Sequence, residues 1–175
     1  EISDIYLAGI DGSAENNLTK HEDVNIQYWY PRWSPDGMKI LFFRSEKNPE
    51  NDQGWYKSEL FVMKEDGSNM QVLSPATQAE EIFFDSFGDW SPDGASIVFE
   101  SNRHALTADF DNELYKISTS TNEITQLTNE SGFSMHPAWS LDGTRIAFMS
   151  DRDGDWDIYF MNTDGTGITQ LTQNS

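Results

Sequence analysis

Short apolar runs alternate with polar turns along the whole chain, and the order in which they come repeats. KILFF from Lys39, SIVFE from Ser96 and RIAFM from Arg145 are apolar on both faces, as in a strand sandwiched between two neighbouring sheets. A second set begins with an acid and continues with alternating apolar residues: ELFVM from Glu59, ELYKI from Glu113 and DIYFM from Asp157, with DIYLA from Asp4 opening the chain. Such runs suit strands and leave little room for helices. Each run of the first set is preceded by a tryptophan turn, WSPDG at Trp33 to Gly37 and Trp90 to Gly94, and WSLDG at Trp139 to Gly143. Runs of the second set end in IDGS, EDGS and TDGT, with STSTNE in the remaining case, and then a short segment closes on NLT, VLS, QLT or QLT. Pro fixes φ, Asp bonds its own backbone and Gly accepts positive φ, so these are tight turns.

The unit therefore has four strands, A to D: the WS segment, the apolar run, the acid-led run and the closing segment. The tryptophans are 57 and then 49 residues apart (Trp33, Trp90, Trp139), near the period of four-stranded propeller blades. The expected fold is all-β, a β-propeller arc of four-stranded antiparallel blades in one domain. A half blade (strands C and D) covers 1–19, and complete blades cover 31–74, 88–128 and 137–172. Such an arc has apolar end sheets, which predicts self-association or membership of a longer chain.

Composition changes the picture in two ways. A net charge of −19 repels nucleic acid phosphates and anionic headgroups, so neither nucleic acid binding nor membrane insertion is expected. Cations, basic protein surfaces and neutral ligands remain as partners. No stretch reaches the roughly 18 to 20 apolar residues of a membrane span. The chain has no cysteine, which removes disulfides, thiolate metal sites and thiol nucleophiles and leaves the compartment open.

The string PAWSLDGTRIAFMSDRDGDWDIYFMNTDGTGITQLT resembles the TolB-type β-propeller repeat, whose pattern is P-x-W-S-P-D-G, an I-A-F strand, S-D-R-D-G, an I-Y strand, a D-G turn and L-T. Leu141 replaces the usual Pro, Arg32 and Asp89 stand where Ala138 is the expected type, and the first two B-to-C loops are enlarged. The resemblance implies a scaffold that hosts unrelated tasks: periplasmic protein binding in TolB itself, a substrate gate in prolyl oligopeptidase relatives, and metal-dependent oligogalacturonate lysis in another branch. It also implies a periplasmic or extracellular location.

Up-and-down strand order places the A-to-B and C-to-D turns at one end of each blade and the B-to-C and D-to-A loops at the other. The second set is long: KHEDVNIQYWYP, PATQAEEIFFDSFG and NESGFSMHP, with SEKNPENDQGWYKS, SNRHALTADFDN and SDRDGDWD. Long loops on a rigid scaffold commonly carry binding. The candidate ligand- or partner-binding residues are Tyr28, Trp29, Trp55, Tyr56, Phe84, Phe110, His136 and Trp156, the alternative being that these aromatics cap the blade ends. Trp33, Trp90 and Trp139 recur in register and are expected in the core. His21, His104 and His136 all fall in these loops, but their spacing gives little reason to converge on one metal.

DRDGDWD places acids at every second position. Gly154 is fourth rather than sixth and Asn162 stands at the twelfth position, so an EF-hand is excluded. A hairpin bend at Gly154 is the simpler reading, and no cofactor is expected. Calcium held by Asp151, Asp153 and Asp155 is the alternative, requiring further oxygen ligands from elsewhere.

No G-x-S-x-G, H-E-x-x-H or phosphate loop occurs, which favours a non-catalytic binding scaffold and leaves enzyme activity open. The alternatives are a polysaccharide-acting lyase or hydrolase-like enzyme using carboxylate pairs such as Glu80 with Asp85 or Asp109 with Asp111, and a gate or sensor portion of a larger protein.

Overall fold

The computed structural model describes residues 2–47, 55–75, 83–103 and 112–173. No helix occurs among them. A two-stranded ribbon, β1 (Tyr6–Leu7) with β2 (Asn16–Asn17), precedes three four-stranded antiparallel sheets. The first is β3 (Ile26–Trp33), β4 (Lys39–Lys47), β5 (Trp55–Lys64) and β6 (Gln71–Val72). The second is β7 (Asp85–Trp90), β8 (Ser96–Ser101), β9 (Glu113–Ser118) and β10 (Ile124–Gln126). The third is β11 (Ser134–Trp139), β12 (Arg145–Ser150), β13 (Asp157–Asn162) and β14 (Thr169–Gln170). Within every sheet the strands lie in chain order, the up-and-down meander of a propeller blade. The chain divides into two compact units, Glu1–Phe83 and Phe84–Ser175.

Two side-chain devices explain why the repeat is spelled as it is. In the tryptophan turns the serine hydroxyl donates to the aspartate two residues on, at 2.6 Å for Ser34–Asp36, Ser91–Asp93 and Ser140–Asp142. It also accepts the amide that starts strand B, at 2.9 Å for Lys39 and Ser96 and 3.0 Å for Arg145. The turn is thereby tied to the strand it launches. At the sheet's outer edge, a hydroxyl two residues past strand D accepts the amide that follows the strand C acid. Ile5 donates to Thr19, Leu60 to Ser74, Leu114 to Thr128 and Ile158 to Thr172, each at 2.9 Å. Thr19, Thr128 and Thr172 donate in turn to Asp4, Glu113 and Asp157. Strand D is only two or three residues long, so this reciprocal latch supplies bonds that its short ladder lacks.

The DG turns add a close approach. Gly165 has φ +87, and a Cβ there would lie 2.5 Å from the Leu127 carbonyl oxygen of the preceding sheet. Gly67, at φ +83, sits in the same way 3.0 Å from the carbonyl of Leu18. Only glycine satisfies both the backbone angle and the contact.

Face-to-face packing supplies the core. In the second unit Val98, Leu114 and Leu127 meet Ile146, Phe148, Tyr159 and Met161, with Trp139 and Ile168 packed against the cluster. In the first unit Ile5 caps a cluster of Tyr28, Ile40, Phe42 and Met63. The three repeat tryptophans are not equivalent. Trp90 is buried and Trp139 partly so, but Trp33 is 50% exposed, which corrects the expectation that all three are core. Trp33 pairs with Ile40 across the ladder and shares its face, and on that side the ribbon β1–β2 is too short to cover a large indole.

The turn carboxylates carry a pH signature. Asp11, Asp36, Asp66, Asp93 and Asp164 are held below the usual 3.8, and Asp142 is lowered to about 2. The leading cause at each is the hydrogen bond from its turn hydroxyl: Ser13, Ser34, Ser68, Ser91, Thr166 and Ser140 respectively. A carboxylate whose pKa is lower folded than unfolded stabilises the fold above its unfolded pKa, and that contribution disappears as pH falls through the folded value. Melting temperature should therefore fall between about pH 4 and about pH 2. Asp142→Asn should blunt that fall, and an unchanged slope would contradict the assignment.

Candidate binding face

In each sheet strand A carries a β-bulge within its length, just before the tryptophan turn. Pairing shifts between Trp29 and Arg32, between Ser86 and Asp89, and between Met135 and Ala138. One residue inside each bulge has positive φ: Tyr30 (54°), Phe87 (49°) and His136 (51°). Each lies three residues before its repeat tryptophan. Bulky residues rarely adopt this conformation, and a bulge re-aims the side chain it contains. The same positive-φ placement of a ring recurs in three successive blades.

In the first unit the bulge displays Trp29 and Tyr30, 37% and 48% exposed, with ring centroids 6.5 Å apart. Tyr30 also meets Phe43 edge-on at 6.4 Å. Tyr28, one residue earlier, points to the other face of the strand. It is 9% exposed and packs edge-on against His21 and Phe42, with its phenol pKa raised by burial. Strand alternation thus puts Tyr28 in the core, which corrects its expected surface role. His21 Nε2 lies 3.4 Å from Asp4 Oδ1.

In the second unit Phe87 and His136, from adjacent sheets, form an edge contact at 4.1 Å. Glu100 organises them. Its buried carboxylate accepts the His136 backbone amide at 2.7 Å, the Ser86 hydroxyl at 2.8 Å and Asn112 Nδ2 at 3.4 Å. Phe43 and Met149 occupy the same register in the other two sheets, so Glu100 is a polar departure from the repeat. Three donors offset the cost of burying that charge. Farther out, Phe133 and Trp156 lie 6.0 Å apart, Trp156 being 43% exposed. Phe84 is half-buried and its amide donates to Asn102 at 2.8 Å.

Of the acids of DRDGDWD, Asp153 and Asp157 share Gln170 Nε2, at 2.7 and 2.9 Å, and the other two have separate surroundings. Asp151 Oδ1 accepts the Phe133 amide at 2.7 Å, Asp153 accepts Gln170 Nε2 at 2.7 Å, and Asp157 belongs to the Thr172 latch. Asp155 is exposed. Among the described residues no group of three or more His, Asp or Glu is arranged to hold a metal. The bend is closed by the Gly154 amide on the Asp151 carbonyl, 2.8 Å.

Trp55 and Tyr56 fall in β5, but their side chains lie outside what the structure describes, as do Phe110, His104, Glu80, Asp109 and Asp111 altogether. Tyr30 and Phe87 belong to the aromatic-rich loops read from sequence but are not among the candidate binding residues chosen there. The available signal was the large ring three places before each repeat tryptophan. Glu100 was legible only as the acid that breaks an apolar strand.

The sequence profile of the TolB beta propeller domain matches residues 90–175. An uncharacterized peptidase, YuxL, from Bacillus subtilis is 32% identical over 116 residues, covering 66% of this chain and 16% of the relative. A TolB homolog of Chlorobium luteolum is 23% identical over 95% of this chain and 33% of its own length. Among solved structures, TolB from Acinetobacter baumannii superposes with a TM-score of 0.69 at 22% identity, over 96% of this chain and 37% of that one. The chain thus spans well under half the length of these relatives.

Proposed function

Because the chain carries TolB-type β-propeller repeats, we propose that it is a non-catalytic scaffold that binds a protein partner through its strand A bulges and its long B-to-C and D-to-A loops. The observation that carries this reading is the bulge itself, which holds Tyr30, Phe87 and His136 at positive φ in all three strands A. Exposed rings on rigid backbone lose little entropy on binding and are favoured at interface centres. A partner surface rich in Lys and Arg fits the net charge of −19, since opposite charge speeds encounter and excludes acidic competitors. The TolB resemblance supports a periplasmic or extracellular setting for this binding.

Photo-crosslinking side chains at Trp29, His136 and Trp156, each tested singly in cells, should give one discrete protein adduct. The same groups at Asp36 and Asp142, in the turns, should not. Adduct yield should fall as salt is raised, because the steering charges are exposed. Equal capture from both ends, or hydrolysis of peptide or polygalacturonate substrates by the purified chain, would count against a binding scaffold.

A further inference from the structure

The end of the second unit that carries the tryptophan turns holds a cavity of about 340 Å³ between its two sheets, within the range of small-molecule sites. Its walls include Pro92, Asp93, Lys116, Trp139 and Asp142. Lys116 is the departure from pattern. It stands on β9 at the register that Val62 and Phe160 fill in the other sheets, so a core-type position has been given an ammonium group. Its Nζ donates to the Thr163 carbonyl at 2.6 Å, and an ammonium has three donors. Trp139 Nε1 is buried without a hydrogen-bond partner, which is costly unless something else accepts from it. Asp93 and Asp142 each use Oδ1 for the turn, leaving Oδ2 as an acceptor.

The cavity thus combines spare donors on Lys116 and Trp139, spare acceptors on two carboxylates, and an indole. Hydroxyl groups match such a set because each both donates and accepts. Two carboxylates against one ammonium leave the cavity negative on balance, which disfavours an anionic ligand. The geometry points to a second binding site, distinct from the bulge-and-loop face, for a neutral sugar ring that lies against Trp139 with its hydroxyls shared between Lys116, Asp93 and Asp142.

Indole N–H signals of the full chain, with Trp139 assigned from a Trp139→Phe variant, would be followed during titration with glucose, galactose and N-acetylglucosamine. At least one of these should move the Trp139 signal saturably. Galacturonate, the anionic counterpart, should bind about tenfold more weakly. Lys116→Met should weaken binding of the neutral sugar about tenfold while retaining the circular dichroism of the parent. Failure of all three neutral sugars to move the Trp139 signal would overturn the site, as would tighter binding of galacturonate. Unchanged affinity in a folded Lys116→Met chain would overturn it as well.

Discussion

Replacing Asp85 with alanine should lower unfolding stability by about 3 to 5 kcal/mol, the usual consequence of leaving a buried charge without its partner. The Asp85 side chain is fully buried and that of Arg103 8% exposed, with Nη2 donating to both carboxylate oxygens at 2.9 and 2.7 Å. The guanidinium also lies over the rings of Phe99 and Tyr115, at 5.3 and 5.7 Å, so it cannot swing to water without giving up that stacking. The next sheet supplies a natural comparison. Arg152 stacks in the same way on Phe148 and Tyr159, but Ser134 stands where Asp85 would be, and Arg152 donates to the Ser150 and Ser134 hydroxyls at 3.0 and 3.3 Å. Asp85→Ser should therefore be milder than Asp85→Ala, and Asp85→Ala with Arg103→Met should recover part of the loss. Urea unfolding midpoints at constant slope measure all three. A cost under about 1 kcal/mol for Asp85→Ala would show that the pair is better solvated than its burial indicates.

Phe148→Ala should also cost about 3 to 5 kcal/mol, from lost burial plus the cavity left behind. Phe148 is 2% exposed, stacks on Tyr159 at 5.8 Å and lies in the cluster joining the two sheets of the second unit. Phe160, adjacent to Tyr159 but on the opposite face of the same sheet, is half-buried, with Arg145 4.4 Å above its ring. Its replacement by alanine should cost about 1 kcal/mol. Calorimetric melting of the two variants separates inter-sheet packing from general loss of apolar area. Equal losses would mean that contact between the sheets is not the main source of stability in this unit.

How much of this could be read in advance depends on whether a feature repeats. Strands A to D and their turns recur, so the sheets and their order follow from periodicity and turn chemistry. The acid opening strand C and the hydroxyl closing strand D also recur, but that they bond to one another requires the register, which no pattern of apolar residues states. The bulges were hidden because Tyr30, Phe87 and His136 take positive φ without the glycine or asparagine that normally signals it. Tyr28 was misplaced because adjacent aromatics in a loop-like string look alike until alternation assigns them to faces. Trp33 shares its motif with Trp90, and its exposure beside the short ribbon is a property of tertiary context. Glu100 and Lys116 stand out once the strands are aligned on their tryptophans, each being polar where its counterparts are apolar.

Backbone hydrogen exchange with the crosslinked partner bound tests the bulge-and-loop face most directly, because it reports every amide of both ends in one measurement. Slowed exchange should centre on Trp29 and Tyr30 in the first unit and on Ser86, Phe87, Met135 and His136 in the second. The turns at 34–37, 91–94 and 140–143 should exchange as they do in the free chain. Protection confined to those turns, with the bulges unaffected, would contradict the proposed face and move binding to the opposite end of the blades.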